Sequence, residues 1–144
     1  MVGSELAEYI KKLSYSDISA QAKHQAKRLL LDSIGTILFG SRQKEAEYIT
    51  EFIKETTQCP ESTIIGKSFK SNCFSSAFAN AAFSQIHDCN DGHRIAASCG
   101  GTSHPGRIVF PVALAVGEKY SLSGKDLITA VVIGYPHFGI KFFQ

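Results

Sequence analysis

Between His87 and Gly106 the chain reads HDCNDGHRIAASCGGTSHPG, which places three histidines, two aspartates and two cysteines within twenty residues. Three chemistries are open to such a segment. As a metal site, His87, Asp88, Cys89, Asp91, His93, Cys99 and His104 are all ligand types for zinc or iron. Their spacing argues against it: HxxxH, HExxH and CxxC pairs are absent, and Gly92, Gly100 and Gly101 would leave the donors poorly held. No metal ligand is therefore assigned. As an acid–base site, a carboxylate and an imidazole brought together by the glycine-rich stretch would remove a proton beside a carboxylate and protonate a leaving hydroxyl. Asp88 ends an apolar helix, where partial desolvation is expected, and His104 precedes Pro105 at the start of the next helix. That helix end disfavours imidazolium and attracts an anion, and Arg94 and Arg107 would complete a carboxylate cradle. As a plain polar loop, Asp88, Asn90 and Asp91 would only terminate a helix and cap a turn. Residue types alone leave the last two readings open.

The elements that must carry this segment are helical by hydrophobic period. Residues 4–13 put Leu6, Tyr9, Ile10 and Leu13 on one stripe. A second helix is predicted to start near Ser16-Asp17, with Ala22, Ala26, Leu29, Leu30, Ser33, Ile34 and Ile37 at three- and four-residue steps and Gly40 just past its end. A third runs from Glu45 to Glu55 with Ala46, Ile49 and Ile53 inward. Gln58 to Asn72 interrupts the pattern and reads as a loop, although Thr63-Ile64-Ile65 is β-branched. Cys73 to Ile86 is helical again, and Ala77, Ala79, Ala81 and Ala82 would permit close helix approach. After the His/Asp segment come a helix over Ile108 to Tyr120, with Pro105 and Pro111 in or near its first turns, and another opened by the capping box Ser123 to Asp126. The expectation is an all-α bundle of about six helices.

Whole-chain totals narrow the function. The chain has 144 residues, enough for one ordinary domain, with 44% apolar and 19% charged residues, which reads as globular. A net charge of +2 without a cationic run beyond KHQAKR (Lys23 to Arg28, a solvated helix face) predicts no nucleic-acid partner. Every apolar run is interrupted by Lys, Asp, Gly or Pro, so no membrane span is expected, and the N-terminus lacks a leader-like apolar core. Cys59, Cys73, Cys89 and Cys99 read as reduced thiols used in packing, Cys89 and Cys99 nearest the site, in a cytoplasmic protein. One alternative keeps a metal. A helical phosphohydrolase of the HD type would use His24, the pair His87-Asp88 and Asp126, although Asp126 already has a capping role. A non-catalytic helical dimerisation or regulatory module is the other.

Four stretches, in order, resemble the MmgE/PrpD family, which includes 2-methylcitrate dehydratase, cis-aconitate decarboxylase and iminodisuccinate epimerase. They are AKRLLLDSIGTILFGS, SSAFANAAFSQIHDCNDGH, HPGRIVFPVALAVGE and SGKDLITAVVIGY. Asp88 and Asp91 fall on the first and third acids of the family's D-x-D-D turn, Asn90 replaces the second, and Gly92 stands where many members have Thr. His104 matches the histidine of the His-Pro motif, to which the family assigns an active-site role. The stretch Ser98 to Ser103 is longer than in the decarboxylase-type pattern. The resemblance implies a lyase or isomerase of small di- or tricarboxylates that needs no metal or other cofactor, built as a homodimer or self-associating through its helical domain. Asp88 and His104 would be catalytic, converging on a shared hollow, and Asp91, Gly92, Arg94 and Arg107 would bind the small carboxylate substrate. Residues 1–144 would form part of the family's N-terminal helical domain, inactive alone, because further catalytic Lys and Tyr positions of the family lie beyond them. Pro136, where the last helix should continue, points to a truncated or alternative ending.

Overall fold

Several helices start where a serine or asparagine side chain accepts from an end amide, and the computed structural model describes residues 2–56, 59–94 and 102–135. Among the described residues the chain has six α-helices: α1 (Val2–Lys12), α2 (Ala20–Gly40), α3 (Glu45–Thr56), α4 (Cys73–Gln85), α5 (Gly106–Lys119) and α6 (Gly124–Gly134). Two antiparallel pairs of two-residue strands complete it, β1 (Ser62–Thr63) with β2 (Lys70–Ser71) and β3 (His93–Arg94) with β4 (Thr102–Ser103). The class is the mostly helical one that the period implies.

Two boundaries differ from expectation. Ser16-Asp17 does not open α2. Instead Tyr15–Asp17 form a single 3₁₀ turn in which the Asp17 carboxylate accepts from the backbone N–H and hydroxyl of Ser14 at 2.9 and 2.6 Å. Ile18 then leaves helical geometry to enter the core, and Ser19 caps α2 by accepting from the Ala22 amide at 3.1 Å. Gly40 is likewise not a left-handed residue beyond the helix but its last helical one, followed by Ser41 in right-handed geometry. Its glycine is explained by crossing: a Cβ there would lie 1.9 Å from the Phe83 carbonyl oxygen of α4.

Helix α4 is the hub, packed against α5 on one side and α2 on the other. Asn72 caps it by accepting from the Ser75 amide at 2.7 Å. Its inward face is small or polar (Ser76, Ala79, Asn80, Ser84) with Phe83 as the one large member. The polar members are spoken for. Asn80 accepts from the Ile65 amide at 2.9 Å and donates to the Thr63 carbonyl at 3.0 Å, while Ser76 donates to the Ser62 carbonyl at 2.8 Å. This network holds the Ser62–Thr63 strand where a loop is expected, with Ile64 fully buried beside it.

Two apolar clusters result. One joins Ile18, Ala22 and Ala26 to Phe110 of α5 and Ile128, Val131, Val132 and Tyr135 at α6. The other joins Ile37, Ala46, Ile53, Ile64, Ala79 and Phe83. Helix α6 opens with the expected capping box, the Ser123 amide donating to Asp126 Oδ2 at 2.9 Å and the Asp126 amide to the Ser123 hydroxyl at 3.3 Å. Pro111 sits in the second turn of α5, so the Arg107 carbonyl has no helical donor. The first cluster seats α5 and α6, and the second seats α4. The His/Asp segment hangs between their ends.

Candidate functional site

The polar cluster is assembled by a reversal at the end of α4. Ile86 stays helical, but Asp88 has a φ of 51°, a left-handed conformation that a short polar side chain tolerates better than most. The Asp88 amide closes the turn onto the Gln85 carbonyl at 3.1 Å. The chain thus doubles back, and Asn90 and Asp91 return to the start of α5.

Asp91 is the centre of the cluster. Its Oδ1 accepts from the Gly106 amide at 2.9 Å, and its Oδ2 accepts from the Tyr135 hydroxyl at 2.9 Å. Its backbone carbonyl pairs with His104 Nδ1 at 2.8 Å. Gly106 is the first residue of α5, and the residue before it, Pro105, has no side-chain oxygen to cap it. Asp91 therefore supplies the missing cap from fifteen residues earlier. The fit is close: a Cβ on Gly106 would lie 2.5 Å from Asp91 Oδ1.

The pairing to a carbonyl fixes which nitrogen of His104 carries a proton. A carbonyl can only accept, so Nδ1 carries a proton, and in the neutral ring Nε2 is left with its lone pair. The ring is half-buried at the α5 N-terminus. Tyr135 is fully buried and meets Phe110 edge-to-face at 5.8 Å between centroids. Burial pushes its phenol well above the ordinary range, and the Asp91 carboxylate, by charge and hydrogen bond, and Asp32 push the same way. Tyr135 thus keeps its proton and donates.

A second strand of bonds runs beside the first. Arg107 donates through its guanidinium to Gln85 Oε1, which also accepts from Asn90 Nδ2 at 3.3 Å. Gln85 Nε2 donates to Asp88 Oδ1 at 3.3 Å. Among the described residues Arg107 makes no ion pair. A half-buried guanidinium and an imidazole whose Nδ1 donates to a carbonyl are groups that can hold a carboxylate and exchange a proton beside it.

Residues 4–137 match the MmgE/PrpD N-terminal domain. The chain belongs to the MmgE/PrpD family. Its relatives include a cis-aconitate decarboxylase-like protein of Aspergillus oryzae (strain ATCC 42149 / RIB 40), 28% identical over 141 residues, covering 93% of this chain and 28% of the relative. A cis-aconitate decarboxylase of Aspergillus terreus is 27% identical over 139 residues, covering 93% of this chain and 27% of the relative. The chain thus spans between a quarter and a third of the length of these relatives.

Within this MmgE/PrpD chain the expected site residues divide. His104 and Asp91 share one set of hydrogen bonds, and Arg107 and Asp88 share another centred on Gln85. The two sets meet only through backbone neighbours, and among the described residues no direct bond joins Asp88 to His104. Their link runs through Gln85 and Asn90 to Asp91. Asp88 is exposed, not partly desolvated as expected, because the left-handed turn swings it outward. Gly92 is exposed with open space around it, so nothing steric demands a glycine. The side chain of Arg94 lies outside the described residues, as do Cys99, Gly100, Gly101 and Pro136. Clefts of about 450 and 410 Å³ flank α5 and α6, and neither is lined by Asp88, Asp91, His104 or Arg107.

The metal constellation of the HD type is not assembled. Among the described residues no three of His, Cys, Asp and Glu converge on a point, and the Asp126 carboxylate accepts from the amide and the hydroxyl of Ser123. His87 is exposed and its ring meets Phe39 at 4.4 Å. Cys59 and Cys89 are exposed, so packing does not account for them. Gln85 and Tyr135 escape a reading by residue type. For Tyr135 the signal is a tyrosine on the buried stripe of α6, which needs a hydroxyl partner. For Gln85 there is none.

Proposed function

We propose that this chain supplies the proton-transferring part of a site that acts on small di- or tricarboxylates, as the N-terminal portion of an MmgE/PrpD lyase or isomerase. The observation that carries the reading is His104, held at the α5 N-terminus by the Asp91 carbonyl with Nε2 left to exchange a proton. A substrate carboxylate would sit against Arg107, where a charge-assisted bond contributes about 1.5 kcal/mol or more. Nε2 would take the proton from the carbon next to that carboxylate, or return one to the carbon or the departing hydroxyl, which leaves as water. Asp88, exposed and oriented by Gln85, would hold a substrate hydroxyl or a water. The names of the Aspergillus relatives support the substrate class.

The reading extends to a cytoplasmic protein that self-associates through its helical domain. Among the described residues no helix is long and apolar enough to cross a membrane.

Titration of the chain with citrate, 2-methylcitrate and cis-aconitate, followed through the His104 ring resonances, tests the reading. The expected result is a saturable shift with at least one tricarboxylate, weakened about tenfold in Arg107→Gln. Turnover by the chain alone is expected to be absent, since the positioning and electrostatic contributions of a complete site supply most of a rate enhancement. His104 resonances indifferent to all three acids would overturn the proposal.

A further inference from the structure

The acid next to the imidazole has its carboxylate turned the wrong way for substrate. Both Asp91 oxygens are engaged inside the protein, Oδ1 by the Gly106 amide and Oδ2 by the Tyr135 hydroxyl. What Asp91 presents to His104 is its backbone carbonyl. The position of that carbonyl depends on where the carboxylate is anchored, and the anchor is set by packing. Tyr135 is 1% exposed and sits in the cluster with Phe110, Val131 and Val132, so its hydroxyl has little freedom to follow a moving partner. Gly106 is fixed from the other side as the first residue of α5, and any side chain there would collide with Oδ1. The ends of α5 and α6 thus grip one carboxylate between them, and the backbone carbonyl of the same residue receives the imidazole N–H.

We propose that Asp91 and Tyr135 are positioning residues for His104: the Tyr135–Asp91–Gly106 clamp holds the Asp91 carbonyl against Nδ1, keeping the neutral ring in its Nδ1–H form with Nε2 turned outward. The function of the clamp rests on the reading of His104 as the proton carrier, but the clamp itself is measurable without substrate. Its consequence for specificity is that Asp91 is withdrawn from carboxylate recognition, leaving Arg107 as the anion-binding part.

A purely capping role for Asp91 would stabilise α5 and leave the imidazole indifferent. The tautomer separates the two. A solvent-exposed neutral histidine favours Nε2–H, so a dominant Nδ1–H form is a signature that helix stability alone does not produce. The experiment is long-range ¹H–¹⁵N correlation on the ¹⁵N-histidine-labelled full chain, well above the histidine titration range, in wild type, Tyr135→Phe, Asp91→Ala and Asp91→Asn. Wild type is expected to show Nδ1–H at His104. Tyr135→Phe, which removes one oxygen and keeps the ring packing, is expected to move the tautomer ratio about fivefold toward Nε2–H. Asp91→Asn, which can still accept from Gly106, is expected to retain more Nδ1–H than Asp91→Ala. Circular dichroism shows which variants are folded, and the wild-type measurement stands even where a variant is not.

An Nε2–H ring in wild type overturns the proposal, as does an unchanged ratio in folded Tyr135→Phe and Asp91→Ala. The expected tautomers together with no response to tricarboxylates would sink the substrate reading and leave the clamp standing.

Discussion

Glu118 shows how much one residue can hold together at a distance from the His/Asp cluster. Its Oε1 accepts from Lys70 Nζ at 2.5 Å and from the Thr63 hydroxyl at 2.8 Å, and its Oε2 accepts from the Thr63 amide at 2.6 Å. Burial raises its carboxyl, but the Lys70 ammonium and the two Thr63 donors together outweigh that and leave it below its ordinary 4.5. A carboxyl depressed in the folded state binds fewer protons there than in the unfolded chain. Its stabilisation is therefore complete above the unfolded value and is lost as pH falls through the folded one. Glu118→Gln is expected to flatten the loss of stability below about pH 4.5, at a cost near neutral pH of about 1 kcal/mol after allowance for the solvent around Lys70. Denaturant melts across the acid range check it, and an unchanged acid limb would refute it. The same scale shows where residue types mislead. Asp91, expected on substrate, faces inward, because an acid fifteen residues ahead of an uncapped helix satisfies its first amide. Nothing in the run DCND distinguishes that acid from Asp88, which the turn sends to the surface.

At the level of elements, the crossing of α2 and α4 is the most sensitive contact. Gly40→Ala would drive a methyl into the Phe83 carbonyl, and backbone cannot yield as a side chain can. The expected cost is about 2–3 kcal/mol, seen as a fall in melting temperature of roughly 5–10 °C, with little change in helix content. A variant that melts with wild type would mean that the helices cross differently. The hydrophobic period makes the six helices legible and places most of their ends within two or three residues. It cannot place the start of α2, because Ser16, Asp17 and Ser19 are all good caps and the choice is made by Ile18, which has to enter the core. Nor can it explain Gly40, since a glycine at a helix end reads the same whether it turns the chain or admits a neighbour. The β1–β2 pair depends on Asn80 and Ser76 from another element, and no local pattern reports that. The site is legible in outline, as a turn followed by a His-Pro helix start. Its second layer is not, because Gln85 and Tyr135 come from the far ends of α4 and α6 and meet the turn only after folding.

Taken whole, the molecule leaves much apolar surface in water. Phe74 is 89% exposed, Leu31 73% and Tyr48 66%, and Ile108, Val112 and Leu122 border the apolar cleft between α5 and α6. Surface of this kind on several faces favours association. Sedimentation velocity is expected to show mass rising with concentration, and Val112→Glu is expected to reduce it. A monomer at every concentration would remove self-association from the reading of this chain. The cap that Asp91 lends to α5 has a further use, as a clock. The Gly106 amide, first in its helix, has no intrahelical acceptor, so its shelter from deuterium comes from that one carboxylate. Each exchange event at Gly106 therefore marks a moment when Asp91 has let go of the start of α5. The rate at a single nitrogen counts the fraction of time that the turn after α4 stands detached from the start of α5.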